Sequence, residues 1–250
     1  AQLGNRGWSY QDVLPVFKRM ESYAGGDDEF RGREGPLKVT DSPRGGEFAE
    51  RMIRAAEHLG MPYNADYNGA VQEGIGMSQV TINRGRRQST AFCYLDPAAN
   101  RANLKIETGA TADTLIFEDK RCVGVRYRVG GQVREATARA EVVVSGGSIN
   151  SPKLLELSGV GQSERLRAMG IDLVHELPGV GENLRDHYSP RVKYAITAKN
   201  VTFNDNARGW RLAREALKYG LFRSGFLAST SVPIRMYFRT REGLESPDAT

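Results

Sequence analysis

One segment combines glycines and small polar residues that could hold a nucleotide. Residues 143–161 read Val-Val-Ser-Gly-Gly-Ser-Ile-Asn-Ser-Pro-Lys-Leu-Leu-Glu-Leu-Ser-Gly-Val-Gly. Gly146 and Gly147 lack a Cβ atom, so they permit unusual backbone angles and the close approach of a ligand. Free N–H groups at the start of a following helix favour anionic or electron-rich ligand atoms. The pattern predicts a turn that holds a cofactor, although an ordinary strand-turn-helix unit without a ligand also explains a lone Gly-Gly turn.

A strand and a helix must position this turn. Val142–Val144 is a continuous β-branched run, typical of a strand that is buried on both faces of a parallel sheet. Ser151 is expected to cap the following helix, and Pro152 is expected at its first position, where no N–H is needed. Gly159 and Gly161 are expected to end that helix.

The rest of the chain predicts a mixed α and β fold. Three segments carry apolar residues at helical spacing, namely 9–23, 46–59 and 206–219. A β-rich stretch runs from Asn103 to Ser145, and Gly130-Gly131 is expected to form a hairpin turn within it. Two further strands are expected at 191–197 and 232–240.

Composition limits the classes of protein. The chain has 250 residues, a net charge of +5 and two cysteines. No apolar run approaches the ~20 residues of a membrane span. Basic residues are scattered among acidic ones, which argues against a nucleic-acid partner. Cys93 and Cys122 show no Cys-x-x-Cys spacing, so we expect reduced thiols and a cytoplasmic location.

The chain has three histidines, and each is a candidate for chemistry. His58 lies near a predicted helix end, where a cation suits the helix dipole. His175 lies in an alternating, strand-like run, and His187 follows Asp186, which could orient it as a base. A structural or surface role is preferred for all three. No group of His, Cys and carboxylate residues has the spacing of a metal site.

Several sequence blocks together resemble the glucose–methanol–choline (GMC) oxidoreductases. The Ser145–Gly161 segment is similar to a signature of that family, and Leu177–His187 is similar to its Pro-Gly-Val-Gly-x-Asn-Leu-x-Asp-His block. Further matching blocks follow the family order, at 4–15, 62–70 and 85–98. The resemblance implies an α/β fold, with part of a Rossmann-like FAD-binding domain that carries a β-meander, and part of an antiparallel-sheet substrate domain.

The resemblance also implies a reaction. Members of the family bind FAD and oxidise an alcohol CH–OH group by hydride transfer to flavin N5, with a C-terminal histidine acting on the hydroxyl proton. Ala112 stands where the family makes main-chain contacts to the FAD adenine, and Ser145, Gly146 and Gly147 match the turn beside the cofactor. No catalytic residue and no metal-binding residue is assigned among the 250 residues.

The family's Gly-x-Gly-x-x-Gly fingerprint is absent, and its catalytic histidine is expected beyond Thr250. The chain is therefore interpreted as an internal piece of a protein about twice as long, inactive by itself. Residues 1–186 are expected to be a partial FAD-binding domain, and 187–250 the start of a substrate-binding domain. The electron acceptor stays open between oxygen, a quinone and a cytochrome. A hydroxynitrile-lyase-like member or a non-catalytic binding segment are the alternatives.

One departure from the family concerns the substrate. In relatives that oxidise choline, a glutamate follows a Gly-x-Leu-Ala block and faces the trimethylammonium group. Here Gly225-Phe226-Leu227-Ala228 places Pro233 at that position. Because a proline supplies no charge, choline is not expected to be the preferred substrate.

Overall fold

The computed structural model describes residues 4–42, 47–198 and 201–250. The chain divides into two compact units. Unit 1 is Ala1–Leu104 with Tyr194–Thr250, and unit 2 is Lys105–Lys193. A compact unit is not the same thing as a functional domain, so the functional boundary near residue 187 stays a prediction.

Both helices and strands are present, which confirms the mixed α and β fold. The α-helices of the described residues are α1 (Tyr10–Met20), α2 (Glu47–His58), α3 (Asp96–Ala98), α4 (Gly147–Leu157), α5 (Ser163–Ala168), α6 (Phe203–Asn206) and α7 (Gly209–Phe222). The strands are β1 (Glu21–Ser22), β2 (Leu37–Lys38), β3 (Thr40–Asp41), β4 (Gly74–Met77), β5 (Gln79–Val80), β6 (Ile82–Asn83), β7 (Arg86–Arg87), β8 (Ala110–Glu118), β9 (Arg121–Val129), β10 (Gln132–Thr137), β11 (Val160–Gly161), β12 (His175–Glu176) and β13 (Ile234–Tyr237).

Unit 2 is built on an antiparallel meander in which β9 lies between β8 and β10. The predicted hairpin turn is confirmed, since Val129 pairs with Gln132 across Gly130 and Gly131. Both glycines have positive φ, 57° and 82°. A two-residue turn with two positive φ angles matches the twist of the flanking strands, and glycine adopts it at little cost.

Unit 1 contains short sheets instead of one large one. Its longest pairing is antiparallel, between β4 and β13, with Gly74 opposite Tyr237 and Met77 opposite Ile234. Gly76 has no room for a side chain, because a Cβ atom there would lie 2.1 Å from the carbonyl oxygen of Asn64. The predicted strand at 232–240 is thus present in shorter form.

A buried polar network holds unit 1 together. The side chain of Arg31 is 3% exposed. Its guanidinium donates two hydrogen bonds to Glu21 and one each to Asp66 and Gln79. The guanidinium also lies 4.1 Å from the ring centroid of Tyr23. Burial, together with the hydrogen bond to Asp41, raises the pKa of the Tyr23 hydroxyl.

Helix α1 begins as its sequence dictates and ends earlier than predicted. Ser9 is the N-cap and forms a capping box with Asp12. The helix stops at Met20, three residues short of the predicted end, because Glu21 turns to extended backbone and pairs with Leu37 of β2. Pairing with a neighbouring strand therefore outweighs the helical pattern at this end.

Helix α2 confirms the second predicted helix, and the predicted first residue, Gly46, lies outside the described residues. The buried side chain of this helix is Ala49, and Leu59 is exposed. Leu59 follows the last helical residue, so the helical periodicity no longer sets its direction. His58 lies in the last turn, as predicted.

The last predicted helix is displaced. Helix α7 covers Gly209–Phe222, and the short helix α6 precedes it. The prediction of a strand at 191–197 is wrong. These residues have no regular structure, and Tyr194 is 85% exposed. No strand of the described residues pairs with this segment, so its N–H and C=O groups lack the ladder that a strand requires.

Candidate cofactor site

A cleft in unit 2 lies between the edge strand β8, the segment before α4, and α4 itself. Its volume is about 540 Å³. Three of the predicted cofactor residues, Ala112, Ser145 and Gly146, line this cleft, and Gly147 follows directly as the first residue of α4. The other described residues that line it are Ala110, Thr111, Leu115, Val125, Val142, Val143, Val144, Asn150, Lys153, Leu154 and Leu157.

Ser158 fixes helix α4 against strand β8. Its hydroxyl donates to the carbonyl oxygen of Leu154 at 2.5 Å and accepts the backbone N–H of Leu115 at 2.7 Å. The hydrogen bond to Leu115 satisfies a buried donor on the side of β8 that no strand covers within the described residues. Ser158 therefore sets the distance between two walls of the cleft, a role that the sequence alone did not reveal.

A β-bulge lies beside Ala112. The register between β8 and β9 shifts between Ala112 and Thr114, so Asp113 is the extra residue. Its carboxylate accepts a hydrogen bond from Arg128 Nε at 2.7 Å. Bulges redirect neighbouring side chains and are common next to functional sites. Nothing in the local sequence predicts this one.

The Gly-Gly turn has the backbone freedom that was predicted, at one of its two positions. Gly147 has a φ of +85°, and a Cβ atom there would meet no atom within 4 Å. Gly146 is the N-cap with a φ of −78°. Open space beside a left-handed glycine leaves room for a ligand to approach the main chain.

Four expectations about the flanking elements are wrong, three of them concerning the helix. Helix α4 begins at Gly147, four residues before Ser151, and Pro152 lies inside it. Pro152 is the sixth residue of α4, where a proline removes the hydrogen bond to the carbonyl of Ser148 and crowds that carbonyl, yet the helix continues through it. The end is close to the prediction, with Ser158 as C-cap and Gly159 at a φ of +83°. Gly161 belongs to β11 instead.

Val142–Val144 was expected to be a buried strand and has no regular structure. The side chain of Val143 is 75% exposed. Among the described residues, no strand lies beside this segment to pair with it. Its backbone polar groups therefore face the cleft or solvent, where they can hydrogen-bond to a ligand.

The cleft suits an aromatic heterocycle with polar edges. Its walls are mainly apolar side chains of alanine, valine and leucine. The main chain of 142–146 and the first turn of α4 supply hydrogen-bonding groups, and Lys153 is the charged side chain among the described lining residues. Apolar walls with a few polar groups are typical of cofactor sites.

A second groove lies on the other side of α4, between that helix and the 179–185 loop, with a volume of about 760 Å³. Arg165 joins the two walls: it donates to Glu156 at 3.0 Å and to Glu182 at 2.8 Å. Both hydrogen bonds raise the pKa of the Arg165 guanidinium, and the one to Glu156 has the larger effect. The loop that carries the Pro-Gly-Val-Gly block is thereby held against α4.

The histidines show no catalytic arrangement. His187 is exposed, and Asp186 accepts a hydrogen bond from its backbone N–H at 2.8 Å. The imidazole has no hydrogen-bond partner among the described residues. His175 lies in β12, as its alternating pattern predicted. Within the described ranges, no group of His, Cys, Asp and Glu could hold a metal ion, and no helix is long and apolar enough to cross a membrane.

The family sequence pattern named GMC oxidoreductase matches residues 1–189. The chain belongs to the GMC oxidoreductase family. It is 40% identical over 248 residues to the oxygen-dependent choline dehydrogenase of Brucella ovis, covering 99% of this chain and 45% of that protein. It is 47% identical over 195 residues to the protein of the same name from Chromohalobacter salexigens, covering 77% of this chain and 35% of the relative. The chain thus spans less than half the length of these relatives.

Solved structures share the fold. An FAD-dependent oxidoreductase from Chaetomium thermophilum superposes with a TM-score of 0.80 at 24% identity, covering 93% of this chain and 43% of that one. Pyridoxine 4-oxidase from Mesorbium loti superposes with a TM-score of 0.65 at 29% identity, covering 70% and 35%. The family and the fold predicted from the sequence blocks are both confirmed.

Proposed function

We propose that the whole protein is an FAD-dependent oxidoreductase that acts on the CH–OH group of an alcohol. Family membership supports this proposal most directly. The relatives' name, oxygen-dependent choline dehydrogenase, describes enzymes that act on an alcohol. The cofactor is FAD, and the Chaetomium thermophilum protein that shares the fold is likewise an FAD-dependent oxidoreductase.

The residues of this chain fit a role in holding FAD. Ala112, Ser145 and Gly146 line one cleft, and Gly147 leaves open space at its edge. The apolar walls of the cleft would pack on the faces of the adenine ring, while main-chain groups of 142–146 would hydrogen-bond to the edge of that ring. Each of the four residues contributes main chain or small size, so none of them has to supply a charge.

A bound flavin would supply the redox chemistry, as the acceptor of a hydride from the carbinol carbon of the alcohol, and the products would be an aldehyde or ketone and a proton taken up by a base. In this chain, the cleft orients the cofactor, and Ser158 and the Asp113 bulge keep its walls in place. The base is assigned to a histidine outside the 250 residues. Residues 1–186 belong to the FAD-binding domain in this proposal, and 187–250 begin the substrate domain.

Oxygen is the favoured electron acceptor over a quinone or a cytochrome, because the relatives' name specifies oxygen dependence. Aerobic turnover with stoichiometric oxygen consumption would support this assignment. Turnover that requires an added quinone or cytochrome would contradict it. A cytoplasmic location stays a prediction.

The decisive experiment is an absorption spectrum of the full-length protein. The oxidised flavin bands should be present and should bleach when an alcohol is added without oxygen. A protein that lacks flavin, or one whose flavin no alcohol reduces, would contradict the proposal. Cleavage of a cyanohydrin without flavin reduction would instead identify a lyase.

The cleft itself can be tested by filling it. Ala112→Trp places a large side chain in the cleft and should lower the flavin content of the purified full-length protein severalfold. Ala136→Trp is the matched control, because Ala136 lies exposed in β10 and does not line the cleft. Equal flavin content in both variants would show that the cleft does not hold the cofactor.

A further inference from the structure

Unit 1 contains a cleft of its own, with a volume of about 590 Å³. Except for Phe48 and Ala49 of α2, its described lining residues come from the 194–234 region, inside the proposed substrate domain. They are Tyr194, Ala195, Ile196, Val201, Thr202, Phe203, Asn204, Ser231, Pro233 and Ile234. The cleft is large enough for a small organic molecule.

The described part of the lining contains no aspartate, glutamate, lysine, arginine or histidine. None of the described residues that line the cleft carries a formal charge. The residues outside the described ranges, 1–3, 43–46 and 199–200, contain no aspartate or glutamate. A carboxylate at this cleft would therefore have to come from a described residue.

The neighbouring carboxylates already have partners. Asp205 accepts hydrogen bonds from the backbone N–H and the hydroxyl of Thr202, at 3.0 and 2.9 Å, which form the cap of α6. Glu47 is paired with Arg51 one helical turn away. Neither carboxylate belongs to the lining, and turning one inward would break these contacts.

Pro233 is fixed in the wall of the cleft. Its carbonyl oxygen accepts the backbone N–H of Ser78 at 2.8 Å, and the next residue begins β13, which pairs with β4. The pyrrolidine ring thus presents an apolar surface at a position that the sheet holds in place. Phe203 of α6, another lining residue, packs edge-on against Phe226 at 5.7 Å between ring centroids.

We infer that this neutral cleft receives the apolar, uncharged part of the alcohol, and that it disfavours a quaternary ammonium alcohol. This inference rests on the proposed function. Moving a cation from water into an apolar cleft without a carboxylate is costly, and the attraction between a cation and aromatic rings offsets only part of that cost. An uncharged group of the same shape is instead stabilised by the apolar surface that it buries.

Two alcohols of nearly equal shape test the inference on the full-length flavoprotein. Choline carries a trimethylammonium group where 3,3-dimethylbutan-1-ol carries a tert-butyl group. Anaerobic stopped-flow reduction of the flavin gives the specificity constant for each. We expect the uncharged alcohol to exceed choline by tenfold or more.

Substitutions at Pro233 test whether the cleft causes this preference for the uncharged alcohol. Pro233→Glu introduces a carboxylate and should move the ratio at least tenfold toward choline. Pro233→Gln removes the same ring without adding a charge, and it should leave the ratio within about threefold of the original. The flavin content of each variant shows whether it folds.

The outcomes separate the two proposals. Faster reduction by choline in the unaltered protein would overturn the inference and leave alcohol oxidation intact. An unchanged ratio in a flavin-containing Pro233→Glu protein would also overturn it, as would reduction by other alcohols but not by 3,3-dimethylbutan-1-ol. If no alcohol reduces the flavin, the proposed function fails, and the inference fails with it.

Discussion

Arg31 places a permanent positive charge where water scarcely reaches. Its guanidinium bonds to Glu21 and Asp66, and the second oxygen of Asp66 is buried with no hydrogen-bond partner among the described residues. An arginine suits this position because its planar group can donate to several acceptors at fixed angles. The network joins residues that are far apart in sequence.

Replacing Arg31 with methionine should lower the free energy of unfolding by about 3–5 kcal/mol, because it leaves two largely buried carboxylates without their cation. Arg51→Met is the control: its partner Glu47 is exposed, and such a pair contributes about 0.3–0.5 kcal/mol. Urea denaturation of both variants measures the difference. Similar losses in the two would mean that the buried network adds nothing.

Gly147 is the residue of the Gly146-Gly147 turn whose backbone angle requires glycine. An alanine at a φ of +85° is strained by roughly 1–2 kcal/mol. Gly147→Ala should therefore lower the denaturation midpoint and the flavin content of the full-length protein. Gly179→Ala, at a position with open space and no positive φ, should be neutral or slightly stabilising. Equal effects would exclude a special backbone at Gly147.

Helix α1 has a start that depends on pH. The Ser9 side chain and, to a smaller extent, the Ser9 backbone donate hydrogen bonds to Asp12 and lower the pKa of its carboxyl group. Because the folded-state pKa lies below the unfolded one, the contribution is complete above the unfolded pKa of about 4 and is lost as the pH falls through the folded value. The Cα chemical shifts of Tyr10–Val13 should report fraying below about pH 4. In Asp12→Asn this step should disappear, and its persistence would assign the titration to another group.

The contact between α4 and β8 depends on one hydroxyl. Ser158→Ala leaves the buried N–H of Leu115 without an acceptor, which should cost about 1–3 kcal/mol. The control is Ser163→Ala, whose hydroxyl has no hydrogen-bond partner within the described residues. Thermal unfolding of the two variants distinguishes them. Matching midpoints would show that other packing holds the helix on the strand.

Local signals in the sequence predicted local structure well. The Gly130-Gly131 hairpin depends on neighbouring residues alone, and it is present. Val142–Val144 and 191–197 have strand-like composition and are not strands, because a strand also needs a partner that composition does not specify. Ala112, Ser145 and Gly146 line one cleft, and their role as cofactor contacts stays a prediction from the family resemblance. The local sequence does not predict the roles of Ser158 and the Asp113 bulge, since these roles come from contacts between segments that are distant in the chain.

At the scale of the whole molecule, the proposed function gives this chain only part of the FAD site. The cleft of unit 2 fits an adenine-sized group, and Lys153 is its cation among the described lining residues. The Gly-x-Gly-x-x-Gly loop that receives a pyrophosphate is not among the 250 residues. Besides Lys153, the cleft can offer the cofactor apolar packing and main-chain hydrogen bonds from its described residues.

The isolated 250-residue chain should therefore bind FAD weakly, with a dissociation constant above about 1 μM. Titration of FAD followed by its fluorescence measures this constant, with the full-length protein as comparison. The weak binding that remains should be displaced by AMP and not by riboflavin, because the cleft is assigned to the adenine end. Sub-micromolar binding would show that this chain carries most of the cofactor site by itself, and displacement by riboflavin would place the flavin ring in the cleft.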